Sequence, residues 1–279
     1  MTFAFDFSHD EHFTRLVERH PNVCLTTVAL ELARDRTPQL DFQASFDWIN
    51  ARGEELRRLV TRAATGRETL EAISATLAGE QGIHGSSESY DEPDGSFLNR
   101  VIELRRGIPI SLAVLYMAVC KAAGIELSGV AAPMHFLTRI EAAEGPLFLD
   151  AWAGRRILTE EETVEWLSGL SACPRDIIER SLDPVDPRAI VTRMLTNLKV
   201  LYSRNENWVA AWPVQNRLLA LNPTSYPERR DLALIALKVD RPGMAVRLLK
   251  SLKQVAPQEE LELLAVHLSD AEQQLHRWN

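Results

Sequence analysis

Three residues have the types and the order of an acyl-transfer constellation: Ser111, His135 and Asp150. Ser111 lies two residues after Pro109, in the first turn of an apolar stretch that reads as a helix. His135 stands in Pro133-Met134-His135-Phe136, and Asp150 closes Leu147-Phe148-Leu149-Asp150. A hydroxyl attacks a carbonyl when a histidine takes its proton and a carboxylate fixes the tautomer of that histidine. A helix start adds backbone N–H groups and partial positive charge for the developing oxyanion. Asn99 is the candidate for a further oxyanion donor. Each residue also has a plainer reading. Ser111 can be a first-turn serine bonded to backbone. His135 can be a core histidine beside Phe136, Asp150 a turn residue at a strand end, and Asn99 a residue of the helix surface.

Other chemistry finds less support. Cys120 lies near the far end of the same apolar helix, where burial raises a thiol pKa and the helix end offers no help. His9 and His12, with Asp10 and Glu11 between them, are too sparse a set for a metal site, so no metal is predicted. There is no phosphate-cradling glycine loop, so no cofactor is predicted either. Arg105-Arg106 is too small a cluster for nucleic acid. The net charge of −8 argues the same way and also disfavours an anionic membrane surface.

The elements that must carry these residues change in period along the chain. Apolar residues at 25, 28, 29, 32 and 33 predict a helix over 23–34. A second is expected over 42–64, stopped by Gly66, and a third over 69–77. Residues 82–95 are rich in breakers and read as an ordered loop. A short helix over 96–105 precedes the buried helix, which starts at Pro109 and ends before Gly124. The period then falls to two, with strands expected over 127–132, 135–140 and 146–151. Thr159 with Glu162 forms a capping box for a helix over 160–167. Helices followed by a small antiparallel sheet make an α+β pattern.

Residues 174–187 hold three prolines, Pro174, Pro184 and Pro187, and read as a linker. Beyond them the chain repeats every 34 residues, pairing Leu198 with Leu232, Ala211 with Ala245, Leu218 with Leu252 and Pro223 with Pro257. Small alanines mid-unit and a closing proline resemble tetratricopeptide repeats. Arg229 and Ala236 depart from that motif. Residues 259–276 are expected to form a capping helix with Leu261, Leu264, Ala265 and Leu268 inward.

At 46% hydrophobic and 25% charged residues, the composition is that of a folded chain and not a disordered one. The start carries no basic segment of a signal peptide, and the longest apolar run, 110–120, is too short to span a bilayer. Three scattered cysteines suit a reducing compartment. The expected localisation is therefore cytoplasmic.

The helix–strand–strand order of serine, histidine and aspartate is shared with papain-like and transglutaminase-like folds. Residues 96–103 (SFLNRVIE), 106–112 (RGIPISL) and Leu115-Tyr116, with Pro-x-His-Phe and Phe-Leu-Asp following in order, resemble the bacterial transglutaminase-like family with C-terminal tetratricopeptide repeats. The loop around Tyr90 fits as well, and the resemblance covers about residues 20–260. It implies a helical segment and transglutaminase-like core over 1–173, a linker over 174–187, and two repeats with a capping helix over 188–279. Enzymes of this fold use cysteine where Ser111 stands, and a serine cannot be stored as a thiolate. The resemblance thus implies a catalytically degenerate factor, a pseudoenzyme that binds a protein or peptide through its repeats, with no nucleic-acid or membrane partner. The alternative is a Ser-His-Asp hydrolase of amide or ester bonds in a peptide-like substrate.

Overall fold

A computed structural model describes residues 6–277. The chain divides into two compact units. One comprises residues 21–194. The other comprises residues 195–277 together with residues 6–20.

The unit 21–194 is built around the helix Pro109–Ala123, whose residues are almost all buried. Pro109 opens it, where a missing N–H costs nothing. Gly124 closes it at φ 81°, in the left-handed region that side chains disfavour. The helices Leu25–Ala33, Gln43–Val60 and Leu98–Leu104 pack against it. Gly66 does not merely stop a helix: it is the first residue of the next, Gly66–Ser74, which Thr65 caps by accepting from the Glu68 N–H. The expected loop over 82–95 holds two 3-10 turns, Ser87–Tyr90 and Pro93–Ser96. It also holds a two-residue strand, β1 (His84–Gly85), parallel to β2 (Arg106–Gly107).

The sheet is an antiparallel meander of β3 (Ser128–Val130), β4 (Leu137–Ala142), β5 (Gly145–Asp150) and β6 (Arg156–Thr159). Thr138 faces Leu149, and Asp150 faces Arg156. Gly145, at φ 113°, opens β5 directly after the two-residue turn 143–144. His135 precedes β4 instead of lying in it: residues 133–134 form a turn, with Met134 at φ 60°. The capping box of Thr159 and Glu162 opens the helix Glu160–Leu170 as expected.

The segment 174–187 is not a bare linker. It contains the helix Arg175–Arg180, and Ile178 and Leu182 join Leu137, Phe148, Val164 and Leu167 in one buried cluster. Three prolines punctuate the backbone there, but two apolar side chains at helical spacing were enough to dock it.

In the second unit the helices Trp208–Leu221, Tyr226–Lys238, Pro242–Leu252 and Leu261–His276 follow the end of Pro187–Arg204. Ala211 and Ala245 are fully buried, as are Leu198, Leu218, Leu232 and Leu252, in keeping with the period of 34. Arg229, which departs from the motif, donates to Ser251 Oγ at 2.8 Å and ties two helices together. In the last helix Leu264 and Ala271 are buried and Leu261 and Leu268 half-buried, while Ala265 is exposed, contrary to expectation. Positions 261, 264, 268 and 271 make one helical face, so the inner stripe lies slightly round from the expected one.

Residues 6–20 belong to this second unit and not to the first. The helix Glu11–Val17 buries Phe13 and Leu16. Asp10 accepts from Arg217 Nη2 at 2.6 Å, across 207 positions of sequence. The guanidinium also lies 4.9 Å from the Phe7 ring centre and 4.7 Å from that of Phe13.

Candidate active site

Asp150 closes β5 with its carboxylate 1% exposed. Its Oδ1 accepts the Trp152 N–H at 3.0 Å and the Ala153 N–H at 3.2 Å, so it organises its own turn. The same oxygen meets His135 Nε2 at 2.9 Å. A carboxylate only accepts, so Nε2 carries the proton and Nδ1 is left open. Arg156 Nη1 stands 3.5 Å from Asp150 Oδ2 and stacks over the Trp166 ring at 4.5 Å. Trp166 in turn meets the His135 ring edge-on at 5.2 Å. Asp150 is thus a turn-forming carboxylate that also hydrogen-bonds an imidazole.

Ser111 is placed differently. It is 1% exposed, and its hydroxyl donates to Gly95 O at 2.5 Å, with Ile108 O at 3.0 Å beside it. Its oxygen accepts the Ile108 N–H at 3.1 Å. That is the return half of a capping box, made by the third helical residue because an isoleucine at the cap position cannot make the forward half. Gly95 belongs to the turn Pro93–Ser96, and its carbonyl also accepts the Ile108 N–H at 3.1 Å. The hydroxyl stitches the helix start to that turn and makes no hydrogen bond to His135. The structure thus joins His135 with Asp150, and commits Ser111 to backbone.

Asn99 is neither a surface residue nor a partner of this group. It is buried on the helix Leu98–Leu104 and lines a cleft with Arg36, Thr37, Asp94 and Arg100. Cys120 is fully buried, and burial pushes its thiol pKa well up. None of the three cysteines is in a disulfide. Among the described residues no three of His, Cys, Asp and Glu come together as a metal site, and His9 and His12 join none.

Two tyrosines near Asp150 entered the sequence reading through the resemblance alone and not as site residues. Tyr116 lies on the helix of Ser111, fully buried, with its hydroxyl unpartnered. Burial raises its pKa far up, and the charges of Cys120 and Asp150 add to this. Tyr90 is half-exposed, 5.5 Å from the Trp152 ring, and burial with the Asp150 charge raises its pKa against the pull of Arg193. The helical period marks Tyr116 as core, but nothing local marks its closeness to a carboxylate 34 residues on. Met134, next to the imidazole, is 76% exposed.

Comparison with known proteins agrees with this architecture. Residues 46–196 match the family model described as the transglutaminase-like superfamily, and residues 198–272 match one described as a tetratricopeptide repeat. A UPF0162 protein of Xylella fastidiosa is 33% identical over 251 residues, covering 88% of this chain and 89% of that protein. Protein SirB1 of Salmonella typhimurium is 26% identical over 230 residues, covering 80% of this chain and 84% of that one. F-box only protein 21 of mouse is 26% identical over 228 residues, covering 79% of this chain but 34% of that protein. No solved structure matches.

Proposed function

The chain belongs to the transglutaminase-like superfamily, with tetratricopeptide repeats behind the core, and from that premise we propose a non-catalytic protein-interaction or regulatory factor. The observation that carries this reading is the Ser111 hydroxyl, buried and bonded to Gly95 O and to the Ile108 N–H. Turning it towards His135 would give up its own bonds to these backbone groups, at roughly 0.5–1.5 kcal/mol for each hydrogen bond lost. A serine also lacks the standing thiolate of the cysteine enzymes and needs its base in contact at the moment of attack.

The binding role rests on the repeat unit. A groove of about 660 Å³ opens between its helices, lined by Val200, Trp208, Leu234 and Ile235, with Lys238 and Asp270 among its polar residues. Its mainly apolar lining suits one face of a peptide or helix from a protein partner. With net charge −8, no nucleic-acid or anionic-membrane partner is proposed. No described helix is long and apolar enough to cross a membrane, and we assign the role to the cytoplasm.

The second reading, a hydrolase of peptide-like amides or esters, is favoured by one observation: the 2.9 Å bond from His135 to Asp150, with Nδ1 open. A fluorophosphonate probe separates the two. No labelling at Ser111 is expected in the native protein. Labelling at Ser111 that His135→Ala abolishes would establish the hydrolase and overturn the non-catalytic reading. The binding role is tested by capture from a native lysate with wild type and Leu234→Glu. Partners retained by wild type and lost by the variant are expected, and identical retention by both would remove the groove from the proposal.

A further inference from the structure

Ser111 is committed to backbone, so the His135–Asp150 pair serves no hydroxyl of its own. Its Nε2 proton is fixed on a carboxylate, and Nδ1 keeps a lone pair that no described residue engages. That nitrogen is not sealed off. The His135 side chain is 11% exposed and Met134 beside it 76%. Unlike the Tyr116 hydroxyl, Nδ1 is not among the unpartnered polar atoms shut away from solvent. A carboxylate on one ring nitrogen holds the tautomer and makes the other nitrogen a stronger electron-pair donor. Cations stand near. Arg156 Nη1 approaches the second oxygen of Asp150 at 3.5 Å, with its side chain 42% exposed. Arg193 has no ion pair among the described residues, and its charge reaches the Tyr90 phenol, as does that of Asp150. Arg156 and Arg193 against Asp150 leave the balance of these three charges positive, on a chain of net charge −8.

We infer that His135 is a phosphoryl-acceptor histidine, modified on Nδ1 by a phosphoramidate donor. The Nδ1 lone pair attacks phosphorus and forms the new N–P bond. The donor's own P–N bond breaks, and its electron pair goes to the departing nitrogen, which leaves as a neutral amine. The ring gains one positive charge and keeps its Nε2 proton on Asp150, whose carboxylate stabilises that charge. The position of the proton selects the donor class. His135 holds its proton on the far side of the ring, so the leaving group receives none from it. A phosphoramidate carries the proton it needs on its own nitrogen. The phosphoryl oxygens suit Arg156, because a planar guanidinium pairs with phosphate oxygens two at a time. The product sets a strongly anionic group near a buried carboxylate, which draws Arg156 off Asp150 and makes the modification a covalent switch. This goes beyond the proposed function, since neither Ser111 nor the repeat groove takes part.

Potassium phosphoramidate added to the full chain, followed by peptide mass spectrometry under neutral conditions, tests this against the other histidines. His84 is the reference. It is exposed, and its Nδ1 donates to Gly82 O at 2.9 Å, so Nε2 is its open nitrogen, with a carbonyl instead of a carboxylate behind the ring. Were exposure alone to set the rate, His84 would react first. His135 is expected to react first, by about tenfold, the worth of a hydrogen bond to a charged group. Asp150→Asn keeps an oxygen for Trp152, Ala153 and His135 but drops the charge. It should bring the His135 rate down to about that of His84 and leave His84 unchanged. Arg156→Gln, at an exposed position, should slow His135 severalfold and His84 not at all. Should Asp150→Asn fail to fold, the order of His135 and His84 and the Arg156→Gln rate decide. No adduct at His135, or His84 reacting ahead of it, would overturn the inference. So would a His135 rate unchanged in either folded variant.

Discussion

Replacing Asp10 with alanine removes the carboxylate that faces Arg217 and leaves a cation with 1% exposure in its place. Two unit charges about 4 Å apart attract by about 4 kcal/mol at an effective dielectric of 20. Breaking a buried pair from one side costs about 3–5 kcal/mol, because the remaining charge keeps its desolvation penalty. The rings of Phe7 and Phe13 offset part of this, at about 1–2 kcal/mol for a desolvated cation over aromatic faces. A net loss of about 3 kcal/mol is expected, and it should appear first where Asp10 anchors the chain. Hydrogen exchange read by mass spectrometry over the helix Glu11–Val17 measures it. At about 1.4 kcal/mol per tenfold, protection should fall by roughly a hundredfold. The double variant Asp10→Leu/Arg217→Met removes both charges and should recover most of the protection, because an apolar pair of similar volume often replaces a buried ion pair without loss. Protection reduced less than about fivefold by Asp10→Ala would refute the pair as the anchor. A double variant as unprotected as the single one would refute the electrostatic reasoning.

Ala245 is fully buried at the repeat position where helices approach, so Ala245→Leu should overpack and lower stability by about 1–3 kcal/mol, read as a lower melting temperature. A side chain at Gly85 would place its Cβ 2.1 Å from the Trp152 ring, so Gly85→Ala should shift the ring and lower the melting temperature. An unchanged melting curve would count against that contact. Cys120 should resist iodoacetamide until the protein is unfolded in urea, since burial both shields the thiol and raises its pKa; peptide mass spectrometry distinguishes it from Cys24 and Cys173. Tyr226 is pushed up to about 12 by burial and by its bond to Glu260. The folded chain thus holds that proton to higher pH than the unfolded chain, whose phenol titrates near 10. Its contribution is whole below about pH 10 and is lost as pH rises towards 12. Denaturation midpoints over this range should fall less steeply for Tyr226→Phe.

Features decided within a turn or two of chain were legible in the residues alone. Pro109 and Gly124 bound a helix because one lacks an N–H and the other tolerates positive φ. Thr159 and Glu162 reach each other across three residues. The 34-residue spacing of Ala211 and Ala245 marks two helices that need the same close approach. The pairing of His135 with Asp150 was also within reach, because a hairpin brings the ends of adjacent strands together. The partner of the Ser111 hydroxyl was not. One O–H has one proton to donate, and Gly95 won it because the turn Pro93–Ser96 packs under the helix start, a matter of shape with no periodic trace. The same holds for the docking of residues 174–187 through Ile178 and Leu182, and for the burial of Asn99. Asp10 and Arg217 are the extreme case. Each reads alone as a solvated charge, and only the packed repeat unit, by excluding water from both, makes them a pair.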